Sequence, residues 1–281
     1  MYSRILLAVD EDESLEAAVA VVAAYARRWG ADVRVLHAQR VGAAGPNGAA
    51  RRLVTSVVER LEAAGVCADG EIRLVRDGEK AATVIALAAE QAGADLVAIG
   101  SHGRSDLGAL FLGSVSQAVA AGLEAPMLVV RAGSAAPAAP RMVLLAVDGS
   151  ADSDRAVDAA ADVAAAFGAR VHVLHVQLVM GSPAAALVEP DEQASAAVRR
   201  AVQALEARRV EVEEEVAVGQ SAVSTIVATA DRIGADLVVL GSRRPSGIDG
   251  LLLGSTAHGV IHRARCPVLL GRHARAAAAV A

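Results

Sequence analysis

A chain of 281 residues is long enough for about two domains of ordinary size. Hydrophobic residues make up 54% of it but aromatics only 2%, so its cores have to be packed from Ala, Val, Leu and Ile. A formal net charge of −5 excludes both the basic footprint of a nucleic-acid binder and a polybasic membrane patch.

Cys67 and Cys266 are far apart and fit no C-x-x-C or metal-ligand spacing. This predicts a reducing, cytoplasmic setting with no disulfide framework. Asp10 interrupts what would have to be a signal-peptide core. The longest apolar helical run, Ala17 to Ala26, is bounded by Glu16 and Arg27 and is too short to span a bilayer.

In chain order, the first half offers apolar runs at Ile5–Val9, Val33–His37, Ile72–Val75, Leu96–Ile99 and Met127–Val130. Short and nearly all apolar, they have the pattern of parallel strands covered on both faces. Between the first two runs lies the stripe Leu15, Ala18, Val19, Val22, Ala26, Trp29, which predicts a helix ending at Gly30. Asp12 or Ser14 is placed to cap its start. Further helices fit Ala49–Ala64, Lys80–Gln91 and Ser114–Gly122. Strand–helix alternation with right-handed crossovers gives an open, doubly wound parallel sheet of Rossmann-like type.

This pattern occurs twice. RILLAVD ending at Asp10 returns as MVLLAVD ending at Asp148, and VRVLHAQ around His37 as VHVLHVQ around His175, both 138 positions later. GADLVAIGS from Gly93, FLGS at Phe111–Ser114 and APMLVVR around Pro126 return 141 positions later, as GADLVVLGS, LLGS and CPVLLGR. A period of a whole domain means duplication and not a solenoid. The expected division is a first domain over 1–133, an Ala/Pro-rich linker over 134–140, a second domain over 141–274 and a frayed tail over 275–281.

In such a sheet, ligands bind at the carboxyl ends of the strands where the winding reverses. The loop after the fourth strand reads GSHGRSDLGALFLGSV, Gly100 to Val115. Gly100 and Gly103 lack a Cβ, so the backbone there can adopt positive φ and come close to a phosphate. Gly113 and Ser114 open a helix whose free N–H groups and positive dipole end suit an anion. Asp10, ending strand one, is placed to accept hydrogen bonds from a ribose or adenine. Neither G-x-x-x-x-G-K-[ST] nor G-x-G-x-x-G occurs.

With the spacing G-x-x-G-x₉-G-S complete at Gly100, Gly103, Gly113 and Ser114, the chain resembles a tandem universal stress protein along almost its whole length. In that family the spacing is an ATP-binding signature. The resemblance implies five-stranded sheets and ATP as ligand, with Mg2+ held mainly by the phosphates. It places Ala8, Val9 and Asp10 against the nucleoside and Ala38 against adenine, with Ile99, His102 and Val115 lining the rest of the pocket. It also implies domains pairing through their last strands, hence an intrachain pseudo-dimer, with a homodimer as the alternative.

The second half keeps Asp148, Val176, Gly241, Gly254, Ser255 and Thr256, but Arg244 stands at the second glycine position. A Cβ there obstructs close backbone approach wherever positive φ is required. Alternatively, Arg243 and Arg244 grip phosphates through their guanidinium groups. In the first half, Glu11 and Asp12 follow Asp10 where the second has Gly149 and Ser150, adding carboxylates that repel a polyphosphate unless a cation intervenes.

Several other residues read as structural. His37 and His175 are expected to be packed and hydrogen-bonded to a neighbouring loop. His258 and His262, four apart on a helix, have no third ligand in view and are expected to face solvent. Cys266 is expected in a buried strand, and Glu211–Glu215 on a strand edge facing water. The expected function is a soluble ATP-binding regulatory protein whose nucleotide state tunes conformation or the choice of a protein partner the sequence does not name. A slow ATPase, with His102 and Asp106 near the phosphate loop, and a nucleotide-free interaction module are the alternatives.

Overall fold

The computed structural model describes residues 1–40, 48–101, 119, 123, 125–133, 139–180, 187–188, 191–242 and 254–272. The chain forms two compact units, one built on Met1–Ser134 and the other on Ala135–Arg243 with Gly254–Arg272.

In the first unit, β1 (Arg4–Ala8), α1 (Leu15–Trp29), β2 (Asp32–Arg40), α2 (Gly48–Ala63), β3 (Ala68–Val75), α3 (Ala81–Ala92), β4 (Leu96–Ser101) and β5 (Met127–Arg131) follow in order. All four pairings, β3 with β2, β2 with β1, β1 with β4 and β4 with β5, are parallel. The resulting order, 3-2-1-4-5, reverses its winding between β1 and β4. The second unit repeats this with β6 (Met142–Val147), α4 (Ala151–Phe167), β7 (Arg170–Met180), α5 (Asp191–Glu206), β9 (Val212–Gly219), α6 (Ala222–Ile233), β10 (Leu237–Gly241), α7 (Ser255–Arg263) and β11 (Val268–Gly271). Its parallel order is β9-β7-β6-β10-β11, and a two-residue strand, β8 (Leu187–Val188), runs antiparallel to the end of β7. Each sheet therefore has the five parallel strands the sequence predicts.

The central strands are apolar because both of their faces are covered. Ile5, Leu6 and Leu7 are fully buried, as are Val143, Leu144 and Leu145. The α1 stripe behaves as its spacing requires: Ala18, Val19, Val22, Ala26 and Trp29 are buried, and Gly30 ends the helix at φ 67°, donating its N–H to Ala26 O. Trp29 packs edge-on to Tyr2 and Tyr25, at centroid distances of 4.7 and 5.0 Å. The cap differs from expectation. Ser14 is the N-cap residue, but its Oγ donates to the Asp12 carboxylate and accepts no helix N–H. In the second unit Ser150 does cap, accepting from Ser153 N at 3.3 Å.

The repeated GAD has a structural reason. Asp95 accepts from the N–H groups of Ser3 (2.7 Å) and Arg4 (2.9 Å). Asp236 accepts from those of Arg141 (2.7 Å) and Met142 (3.1 Å). Each carboxylate thus ties the loop before the fourth strand to the start of the first.

The acidic run around Glu211 does not simply face water. Glu213 pairs with Arg170 at 3.1 Å, and Glu215 bonds both His172 (2.8 Å) and Arg232. Burial disfavours the charged form of Glu215, yet the hydrogen bonds from Arg232 and His172 outweigh it and hold the carboxyl below its ordinary value. Glu214, pointing to the other face, is exposed.

Candidate functional site

Parallel packing brings the expected nucleoside contacts of the first unit together. Ala8 ends β1 and Val9 and Asp10 follow it, Ala38 lies on neighbouring β2, and Ile99 and Gly100 lie on β4 at its other side. His37 Nδ1 donates to Val9 O at 2.9 Å, fixing the turn that carries Asp10. There Asp10 accepts from Glu11 N at 2.9 Å and Asp12 from Ser14 N at 2.6 Å. His102, Gly103, Gly113, Ser114 and Val115 lie outside the described residues, as do Arg243 and Arg244 in the second unit.

The second unit carries a cavity of about 540 Å³ at the carboxyl ends of β6, β7 and β10. Its floor is Ala146, Val147, Leu174 and Leu240, one wall is the first turn of α4, and another is the first turn of α7 at Gly254–Ala257. Of the expected site residues, Asp148, Val176, Gly241, Gly254, Ser255 and Thr256 all line it. The cavity has the size of an ordinary small-molecule site.

Its electrostatics differ from end to end. Asp148, exposed at the rim, accepts from Ser150 N (3.0 Å) and Ser150 Oγ (2.6 Å). Asp152 is paired with Arg155. At the other end, Gly254 precedes α7 as its N-cap and has no side chain with which to cap it. The helix itself does not use its first-turn N–H groups, which point the way an anion would need. A Cβ added to Gly254 would meet no described atom within 4 Å.

The first glycine of the motif has a role the sequence reading misses. Neither Gly100 nor Gly241 has positive φ. A Cβ on Gly100 would fall on Ser14 Oγ, and one on Gly241 would lie 2.5 Å from Asp152 O and 2.8 Å from Ser153 N. These glycines make room for the first turn of a helix. Gly271, in register with Gly241 on β11, does the same for Ala156, with its Cα 2.5 Å from the added carbon. Val130 stands beside Gly100 in the first unit, so that half has one such notch where the second has two.

Sequence reasoning also misses Ser150, Ser153, Leu178, Ala222 and Ile226, which line the cavity from the starts of α4 and α6 and the end of β7. The serines are legible only as capping residues (Gly149-Ser150 opening a helix), a signal for local structure and not for a ligand. His175 is packed as expected, 3% exposed with Nδ1 donating to Val147 O at 2.9 Å, and it borders the cavity as well. His258 and His262 are half-buried and face each other, with Nε2 atoms 3.2 Å apart, where exposure to solvent was expected. The i, i+4 spacing stacks them on one side of α7, so each ring covers the other. Cys266 is buried as expected, but in the bend just before β11 and not in the strand, and burial pushes its thiol up to about 12. No described helix is long and apolar enough to cross a membrane.

Comparisons with known proteins agree with this architecture. A universal stress protein of Mycobacterium tuberculosis is 32% identical over 186 residues, 64% of this chain and 62% of that protein. The chain therefore matches about three-fifths of the length of such relatives. A universal stress protein of Bacillus subtilis is 32% identical over 144 residues, spanning 46% of this chain and 97% of its own. Among solved structures, a universal stress protein from Archaeoglobus fulgidus aligns over 96% of this chain and 98% of its own, at 24% identity and a TM-score of 0.77. The family model for universal stress proteins matches twice, over residues 1–131 and again over 140–272. With both halves matched, the chain belongs to the universal stress protein family.

Proposed function

We propose that this protein binds an adenine nucleotide, ATP by preference, and uses the bound state to set its conformation or its choice of partner. The observation that carries this reading is the cavity of about 540 Å³ between the ends of β6, β7 and β10 and the start of α7 at Gly254. An apolar floor suits a base, Asp148 at the rim suits ribose hydroxyls, and the first-turn N–H groups of Ser255 and Thr256 suit phosphates. Ser255 and Thr256 offer hydroxyls there, while Mg2+ would be held mainly by the phosphates themselves. The pairing of Asp152 with Arg155 reduces repulsion toward a polyphosphate.

The first unit is proposed to bind in the same way through Ala8, Val9, Asp10, Ala38, Ile99, Gly100, His102, Gly103, Gly113, Ser114 and Val115, and Arg243 is a proposed phosphate contact in the second. Edge strands β5 and β11, each with one neighbour inside its own unit, are proposed to pair within the chain, with a homodimer as the alternative. The proposed setting is cytoplasmic. Calorimetric titration of the full chain with ATP and Mg2+, with phosphate release followed in parallel, tests the reading. Saturable binding without turnover supports it; sustained turnover favours an ATPase, and absence of binding favours a nucleotide-free module.

A further inference from the structure

The His258–His262 pair is not used by the nucleotide site. The rings lie 4.4 Å apart between centroids and are tilted by 57°, with their Nε2 atoms 3.2 Å from each other. Both residues sit on α7, four positions apart, while Ala257, Val260 and Ile261 of the same helix turn into the core. As neutral rings, one Nε2–H donates to the other Nε2, so a single proton lies between two nitrogen lone pairs.

The geometry points to a chelating site for a late divalent transition-metal ion, such as Zn2+, Ni2+ or Cu2+, closed by His258 Nε2 and His262 Nε2. A metal–imidazole bond is about 2.0–2.1 Å long, so two of them ending on nitrogens 3.2 Å apart enclose an angle of about 100°. That lies between the right angle of a square-planar centre and the tetrahedral angle, so the two nitrogens are spaced for one ion, reached by rotation of the rings. The ring that had donated through Nε2 shifts its proton to Nδ1, so the neutral pair binds the ion with no proton released. Neutral imidazole is the nitrogen donor that these ions favour over Mg2+ or Ca2+. Among the described residues there is no cluster of three or more ligating side chains, so the site proposed is a two-histidine one. The site belongs to the second half alone, because Gln117 and Ala121 stand 141 positions earlier.

The test uses the untagged full chain, stripped of metal, titrated calorimetrically with Zn2+ and Ni2+. One ion per chain is expected, and H258Q and H262Q should each weaken binding by about tenfold or more. Circular dichroism of both variants controls for folding. With Cu2+, paramagnetic resonance of the wild type should show coupling to two imidazole nitrogens, falling to one in either variant. A wild type that binds no ion, or variants that bind as it does, would overturn the site. So would single-nitrogen coupling in the wild type, a readout that stands even if a variant misfolds.

Discussion

Gly241 and Gly254 both line the cavity, yet alanine at the two positions should have opposite effects. At Gly241 the added carbon would lie 2.5 Å from Asp152 O, 2.6 Å from its carbonyl carbon and 2.8 Å from Ser153 N. Ordinary contacts run at about 3.5–4.0 Å, so the overlap is on the order of 1 Å against backbone that cannot rotate away. Overpacking of this kind costs about 1–3 kcal/mol, a fall of about 4–12 °C in the melting temperature of a unit this size. At Gly254, with φ −52° and ψ 141° and no described atom near the added carbon, alanine costs the preference for glycine over alanine at an N-cap, roughly 0.5–1 kcal/mol. The same carbon would occupy the space proposed for phosphate and hinder one or two helix N–H bonds to it. Such charged bonds contribute about 1.5–3 kcal/mol each, so affinity should fall about tenfold or more. Thermal melts and ATP calorimetry on G241A and G254A read the two effects separately. A G241A protein that melts with the wild type would refute the packing argument. A G254A protein that binds ATP unchanged would refute the phosphate assignment.

Other expectations follow from the same contacts. R232Q should cost up to about 1 kcal/mol, since the pair is only partly buried. Because the Glu215 carboxyl is held low, that stabilisation is present above its ordinary value and lost as the pH falls below it, so urea midpoints of R232Q and wild type should converge in acid. A constant gap down to acid pH would contradict this. Under native conditions a thiol reagent should label Cys67, slowed because neighbouring Asp32 raises its thiol, and leave Cys266 untouched until the protein is denatured. Equal labelling rates would show that β11 is not packed as described. W29A should cost about 3–5 kcal/mol by emptying the space between Tyr2 and Tyr25, as read by urea unfolding followed by circular dichroism.

The fold was legible because its signals are local and repeated. Apolar runs such as Ile5–Val9 and stripes such as Leu15–Trp29 need no knowledge of what they pack against. Glycines that end helices can be read alone, as Gly30 shows. The candidate site was legible where the doubly wound order alone brings strand ends together, which is why Asp148, Val176 and Gly254, after β6, on β7 and after β10, line one cavity. What was misread depends on contacts distant in sequence. Gly241 looks like a loop glycine until α4 is laid across it. Glu215 looks solvated until His172 and Arg232, on other elements, reach it. His258 and His262 were expected in water because helical spacing gives proximity and not ring orientation, and it is the ring orientation that joins them.

The central claim is that the chain binds ATP, and native mass spectrometry of untagged protein equilibrated with ATP and Mg2+ tests it most directly. The expected spectrum shows added mass in steps of one nucleotide, reaching one or two per chain, with the second-unit step lost in G254A. A spectrum of bare chains at every ATP concentration would contradict the claim.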